Sequence, residues 1–207
     1  MSIDPSKRCT MEINVTDIFC FLGKRGSGKS ELAKHFLKKM DEQEYPILIL
    51  DVNDEYEKKE FVNATIYKSK TLDDYIKNYA DQIKRFINSN NSGMIVWEDV
   101  DVLVSSTQIP MPILDLVIRG RHKNIGCMFL FRRANNIHKQ ILYNSHHIFI
   151  PHITLPNDIR YLSEYIEQTE NIVPNLKKYE FYEYEVDEDK GNIVKLNLST
   201  DTLEIVR

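Results

Sequence analysis

Residues 23–30, Gly-Lys-Arg-Gly-Ser-Gly-Lys-Ser, place glycines, a lysine and a hydroxyl at the spacing Gly-x4-Gly-Lys-Ser, the pattern that cradles a polyphosphate. Gly23, Gly26 and Gly28 let the chain curl, so that the N–H groups of Lys24, Arg25 and Ser27 and the N-terminus of a following helix can face an anion. Lys29 then reaches the outer phosphates and the Ser30 hydroxyl ligates magnesium, which makes ATP and Mg2+ the implied cofactors. Such a site also needs an acid near the metal and a polar group on the attacking water. Met-Ile-Val-Trp followed by Glu98 and Asp99 supplies a pair of acids at the end of an apolar run. Glu98 is assigned to magnesium and Asp99 to the water, with Asp101 in reserve. Arg119, Arg121, Arg132 and Arg133 bracket the run Ile-Gly-Cys-Met-Phe-Leu-Phe. An arginine there can neutralise charge developing on a phosphate, including that of a neighbouring subunit; the alternative is a surface ion pair of little energetic consequence.

These groups need strands and helices to hold them. Residues 15–22 form a β-rich apolar run ending at Gly23, and Leu32, Phe36 and Leu37 follow at helical spacing, which predicts strand, glycine loop, helix. Ile-Leu-Ile-Leu before Asp51 has the continuous apolar character of a buried parallel strand. The spacing of Leu72, Tyr75, Ile76, Tyr79, Ile83 and Phe86 predicts a helix over 71–87, N-capped by Thr71. Further strands are predicted over 94–97, 125–131 and 146–151, and helices over 113–121 and 158–167. Residues 179–186 alternate like a half-exposed strand, and Asp-Glu-Asp-Lys-Gly-Asn would turn it into a hairpin with 193–198. The acidic stretch Glu-Tyr-Glu-Val-Asp-Glu-Asp-Lys is then a solvated turn. Strand and helix alternating over this length predict an α/β fold: a mostly parallel central sheet with helices on both faces and a C-terminal antiparallel hairpin, the working surface lying at the carboxyl ends of the strands.

At 207 residues with 42% hydrophobic and 28% charged residues, the chain suits one domain spanning 1–207, with a core over about 15–178 and the hairpin over about 179–199. The net charge of -4 excludes a broadly basic surface, so any nucleic-acid contact must come from a local cluster or an assembled ring. Cys9, Cys20 and Cys127 are widely spaced, and two of them lie in apolar runs, which fits reduced thiols in a reducing interior. No apolar run approaches the roughly 20 residues of a membrane span, and the first residues lack a signal peptide's apolar core, so direct membrane insertion is not expected and a cytoplasmic location is. His146, His147 and His152 invite a zinc reading. Adjacent residues of a strand point to opposite faces, however, no Cys lies nearby, and the spacing matches no metal pattern.

With these motifs in place, the chain resembles the HerA/FtsK superfamily of DNA-pumping ATPases, and within it the small genome-packaging ATPases of double-stranded DNA viruses with internal membranes, including archaeal viruses. Ile-Leu-Ile-Leu-Asp-Val-Asn-Asp-Glu-Tyr resembles the family's strand ending in Asp and followed by Glu-Tyr, here Asp51, Glu55 and Tyr56. Arg121-His122-x-x-Ile125-Gly126 resembles its arginine-rich turn before the sensor strand, and Leu-Pro-Asn-Asp-Ile-Arg-Tyr-Leu its segment after the last core strand. The resemblance covers roughly 15–186. It implies a RecA-like P-loop fold, ATP hydrolysis and translocation of double-stranded DNA by a homo-oligomeric ring, a hexamer by the family's pattern, with capsid, portal or membrane proteins as further partners. It makes Arg121 the trans-acting finger, Arg119 its alternative and Arg133 a structural or sensor arginine. The sequence departs from the family in two places: Glu98-Asp99 reverses the usual Asp-Glu, and Arg132 stands where a polar sensor usually reads the γ-phosphate.

Two other classes stay open on the residues alone. A small-molecule kinase would carry the same phosphate loop, and its arginines would close as a lid. A degenerate nucleotide-binding assembly factor would bind ATP without turnover. For a motor, pore loops would fall within 53–63 or 100–110, with Lys58, Lys59 and Lys68 as modest basic candidates or as merely solvated charges.

Overall fold

A computed structural model describes residues 13–206. The elements run β1 (Ile18–Leu22), α1 (Lys29–Glu42), β2 (Ile47–Asp51), β3 (Ala64–Lys68), α2 (Leu72–Ser89), β4 (Gly93–Trp97), α3 (Met111–Arg119), β5 (Ile125–Phe131), α4 (Lys139–Asn144), β6 (His147–Ile150), α5 (Pro156–Ser163), α6 (Thr169–Ile172), β7 (Glu180–Glu185), β8 (Lys190–Asn197) and β9 (Thr202–Ile205). The strands form one nine-stranded sheet in the order β3-β2-β4-β5-β1-β6-β7-β8-β9. Pairing is parallel from β3 across to β6 and antiparallel from there to β9. The expected α/β architecture is therefore present, and β1 lies near the middle of the sheet.

β1, β2, β4 and β5 are buried at every position, as strands covered on both faces require. On one face Phe19, Phe21, Ile49, Val96 and Leu130 pack against Leu32, Phe36 and Leu37 of α1. On the other, Leu48, Trp97 and Phe129 meet Tyr75, Tyr79 and Phe86 of α2 and Ile113 and Leu116 of α3. Thr71 caps α2 as predicted, accepting from the Asp74 N–H at 3.1 Å. Cys20 and Cys127 are buried free thiols, while Cys9 lies outside the described residues.

Several predicted elements shift. β1 begins at Ile18 because residues 15–16 form a turn before it, with the Asp17 N–H bonded to the Asn14 carbonyl at 3.0 Å. α3 ends at Arg119 and passes into a 3-10 turn over Gly120–Lys123, and α5 starts earlier than predicted, with Pro156 in its first turn. β3, α4, α6 and β9 were not predicted; each is short and partly polar, too brief for periodicity to register. The largest correction concerns the C-terminus. β7 is an interior strand, not a half-exposed one: β6 and β8 flank it, and Glu180 through Tyr184 are buried. The solvated part of the acidic stretch is confined to 187–190.

Candidate nucleotide site

The phosphate loop joins the carboxyl end of β1 to the N-terminus of α1. Gly28, immediately before the helix, has φ +95 and no side chain caps the helix, so the first-turn N–H groups stay free to meet an anion. A side chain at Gly28 would be strained by that φ, and a Cβ there would sit 2.8 Å from Tyr179 Cδ1. A cleft of about 320 Å³ opens here, lined by Arg25, Lys29, Ser30, Glu55 and Tyr179 among others. Tyr179, the residue before β7, closes one side of it with φ +62; nothing in its sequence neighbourhood marks it.

β4 ends two strands away and delivers both predicted acids to this cleft. Ser30 Oγ donates to Glu98 Oε1 at 3.3 Å, and Lys29 Nζ lies 3.6 Å from Glu98 Oε1 and 3.5 Å from Asp99 Oδ1. Asp99 turns into the site through a left-handed backbone conformation, φ +50. Its Oδ1 is buried without a hydrogen-bond partner among the described residues, while Oδ2 accepts from Asn53 Nδ2 and pairs with Arg132. Burial pushes the Glu98 carboxyl up to about 7, Lys29 only partly opposing it. Asp99 feels the same burial, but Arg132, Lys29 and Asn53 together hold it below the usual carboxylate range. Asp101 faces away, accepting from the Arg132 N–H at 2.7 Å and from Asn136 Nδ2 at 3.0 Å. A hydroxyl and a buried carboxylate in contact, beside an unsatisfied carboxylate oxygen, are hard oxygen donors of the kind Mg2+ takes, so the residues fit that ion.

Asp51 organises the neighbouring loop. Its carboxylate accepts from the N–H groups of Asn53 at 3.3 Å, Glu55 at 3.1 Å and Tyr56 at 3.0 Å. The loop so held brings Tyr56 Oη to donate to Glu98 Oε2 at 3.0 Å and sets Asn53 between Asp99 and Arg132. Asn53 was not singled out from the sequence, although it lies two residues after the strand-ending Asp51.

The arginines divide into two groups. Arg132 and Arg133 follow β5 at the carboxyl ends of the strands. Arg132 enters the site, and Arg133 Nε instead donates to the buried Asp158 of α5 at 2.9 Å, where the Asn135 N–H also bonds at 3.2 Å. Arg119 and Arg121 precede β5, at the amino ends of the strands, away from their own chain's phosphate loop. Arg119 pairs with Asp115 at 3.3 Å, whereas Arg121 is exposed and makes no ion pair among the described residues. The candidate pore lysines are engaged locally: Lys58 with the Val62 and Ala64 carbonyls, Lys59 with Glu57, and Lys68, now within β3, with Asp54 and Asp51. His146 and His147 line one cleft, but their rings have different partners: His146 Nδ1 accepts from the Ile18 N–H at 2.9 Å, and His147 Nδ1 lies 3.2 Å from Glu183 Oε1. Among the described residues no helix is long and apolar enough to cross a membrane.

The fold is similar to that of the genome packaging NTPase B204 of Sulfolobus turreted icosahedral virus 2 in its complex with AMP, with a TM-score of 0.75 at 22% identity over 87% of this chain and 98% of that one. B204 of Sulfolobus turreted icosahedral virus, described as its DNA-packaging ATPase, matches with a TM-score of 0.75 at 20% identity over the same shares. The pCW3 conjugation coupling protein TcpA with ATPγS matches at 0.60 and 15% identity, over 94% of this chain and 61% of that one. No curated protein sequence matches the chain. Residues 10–197 match the family model described as the central domain of helicase HerA. Phosphate loop, parallel sheet and family match thus converge, and the chain belongs to the HerA central-domain family, within the HerA/FtsK type of P-loop ATPases.

Proposed function

We propose that the protein hydrolyses ATP with Mg2+ and uses the energy to translocate double-stranded DNA as a homo-oligomeric ring, in the service of viral genome packaging. The observation that carries the catalytic part is the meeting of loop and strand end: Ser30 lies 3.3 Å from Glu98, and Lys29 lies 3.6 Å from Glu98 and 3.5 Å from Asp99. The packaging part is supported by likeness to B204 over nearly that protein's whole length.

The loop's backbone N–H groups other than those of Gly23 and Ser27, which donate to the Phe131 and Lys24 carbonyls, bind the phosphates together with the α1 N-terminus, and Lys29 neutralises their outer charge. Ser30 and Glu98 would hold Mg2+, which would supply positive charge against the phosphate oxygens. Glu98's raised affinity for protons is the behaviour of a deeply buried carboxylate whose one close lysine only partly offsets the loss of water. Asp99 remains ionised beside Lys29 and Arg132, so it orients water by accepting a hydrogen bond and is a weak base. That suffices for phosphoryl transfer, where positioning and electrostatics outweigh proton abstraction. Arg132 reports from β5 on the phosphate end of the cleft, and Arg121, distant from its own site, completes a neighbour's.

The test is the rate of ATP hydrolysis with magnesium against rising concentrations of long double-stranded DNA. The rate is expected to climb and saturate. A flat but real rate would remove the motor and keep the ATPase; absence of any hydrolysis, with nucleotide still bound, would establish a binding-only site.

A further inference from the structure

Two features that the nucleotide chemistry leaves unused, the adjacent histidines and the acidic run of β7, meet in the folded sheet. β6 and β7 pair antiparallel with His147 directly opposite Glu185 and Phe149 opposite Glu183. Residues opposite each other share a face, and so do residues two apart on one strand. His147, Glu183 and Glu185 therefore project from a single face, the one carrying α1, where the His147 ring stacks on Phe19 at 5.2 Å. One ligating atom from each lies within 4.8 Å of the others', and His147 Nδ1 is 3.2 Å from Glu183 Oε1. We propose that His147, Glu183 and Glu185 bind one first-row divalent cation, zinc foremost, and so pin the antiparallel extension to the parallel sheet.

Charge is the first argument. Glu183 is 2% exposed and Glu185 half-buried, two residues apart on the same face, and a carboxylate pair taken out of water needs a compensating cation. His147 can offset at most one of them. Lys190, opposite Glu185 on β8, is exposed and forms no ion pair with either among the described residues.

Access is the second. A cleft of about 240 Å³ opens beside His147 and Glu185, and Asp17, Asp187 and Glu188 line it, with no Lys or Arg among its described lining residues. It admits a cation and repels anions. Geometry and donor type select the ion. A tetrahedral site with bonds of about 2.1 Å spaces its ligand atoms about 3.4 Å apart, so side-chain rotation closes the set around a metal and leaves a fourth position on the cleft. An imidazole among two carboxylates favours Zn2+ over Mg2+ or Ca2+, which take oxygen alone. The place is separate from the nucleotide cleft, since His147 begins β6 at the amino ends of the parallel strands.

Equilibrium dialysis of the untagged full-length protein with ZnCl2, in excess magnesium, tests this. One zinc per chain is expected at micromolar free zinc, and Glu183→Gln with Glu185→Gln should weaken it at least about tenfold, the loss seen when even outer-sphere partners of a metal are removed. Glu98→Gln, at the nucleotide cleft, should leave the stoichiometry at one. The single Glu185→Gln change, at a half-buried position, gives the same comparison if the double variant does not fold. Absence of stoichiometric binding by the wild type overturns the site, as does zinc that survives Glu185→Gln undiminished or is lost in Glu98→Gln.

Discussion

Glu98 and Asp99 are neighbours in sequence with opposite electrostatic fates, because only Asp99 meets Arg132. The pH behaviour of the magnesium-free protein follows. With its carboxyl raised from an ordinary 4.5 to about 7, Glu98 holds a proton in the native state over a range where the unfolded chain has released it. The stability this contributes is complete below about 4.5 and is lost as pH rises through about 7. The shift corresponds to roughly 3 kcal/mol. Glu98→Gln is neutral throughout and keeps an acceptor for Tyr56, so its stability advantage over wild type should grow by about that amount from pH 4.5 to 7.5. Urea unfolding midpoints of the two proteins across this range measure it, and parallel profiles would contradict the burial argument. The same comparison with Asp99→Asn should run the other way, since that carboxyl is held low and its contribution is lost as pH falls.

At the scale of elements, the segment after β2 shows how a motif can be structural and still serve the site. Asp51 ends the strand and gathers the N–H groups of Asn53, Glu55 and Tyr56, so one carboxylate sets the path of the loop that supplies both Asn53 and Tyr56. Asp51→Ala leaves those donors without their acceptor, at a cost of about 2–4 kcal/mol. Tyr56→Phe, which keeps the loop and loses only the bond to Glu98, should cost about 1 kcal/mol. Denaturant melts of the two variants separate loop-building from the single hydroxyl; equal losses would mean that Asp51 does no more than Tyr56's bond requires. The same logic applies where Asp158 of α5 ties down Arg133 and the Asn135 N–H: α5 is held against the turn after β5, which fixes where Arg132 emerges.

On the scale of the whole molecule, the sheet separates two sets of arginines by its own length. Arg132 follows β5 and stands in its own site, while Arg119 and Arg121 precede β5 at the opposite ends of the strands. If the ring reading holds, Arg121 acts on a neighbour, and Arg121→Ala should lower hydrolysis by about three to five orders of magnitude while nucleotide binding stays near wild type. Lys29→Ala should abolish turnover by itself. Mixing the two inactive proteins should restore part of the activity, because some interfaces would then pair an intact phosphate loop with an intact arginine. Steady-state hydrolysis against mixing ratio reads this out, and either an Arg121→Ala protein that is active on its own or a mixture no more active than the sum of its parts would remove the shared site.

Local signals were legible where they depend on neighbours a few residues apart. Gly28 before Lys29, Thr71 at the head of α2 and the apolar runs of β1, β2, β4 and β5 carry their structural meaning in spacing, because backbone curl, capping and two-sided burial are set within one turn or one strand. β3 and β9 were hidden because short, polar edge strands gain their order from a partner strand. The acidic run of β7 has the composition of a solvent-facing strand and hairpin turn, and its burial follows only from β6 and β8 closing on either side. Glu98 and Asp99 were identifiable as acids at a strand end, yet their different proton affinities arise from the depth at which the fold buries Glu98 and from Arg132 and Asn53, which reach Asp99 from other strands. Sequence by itself determined the phosphate loop, the α/β alternation and which residue types bear chemistry. Only the tertiary structure decided which of them meet, since contact between strands distant in the chain depends on sheet order and register, and no local spacing encodes either.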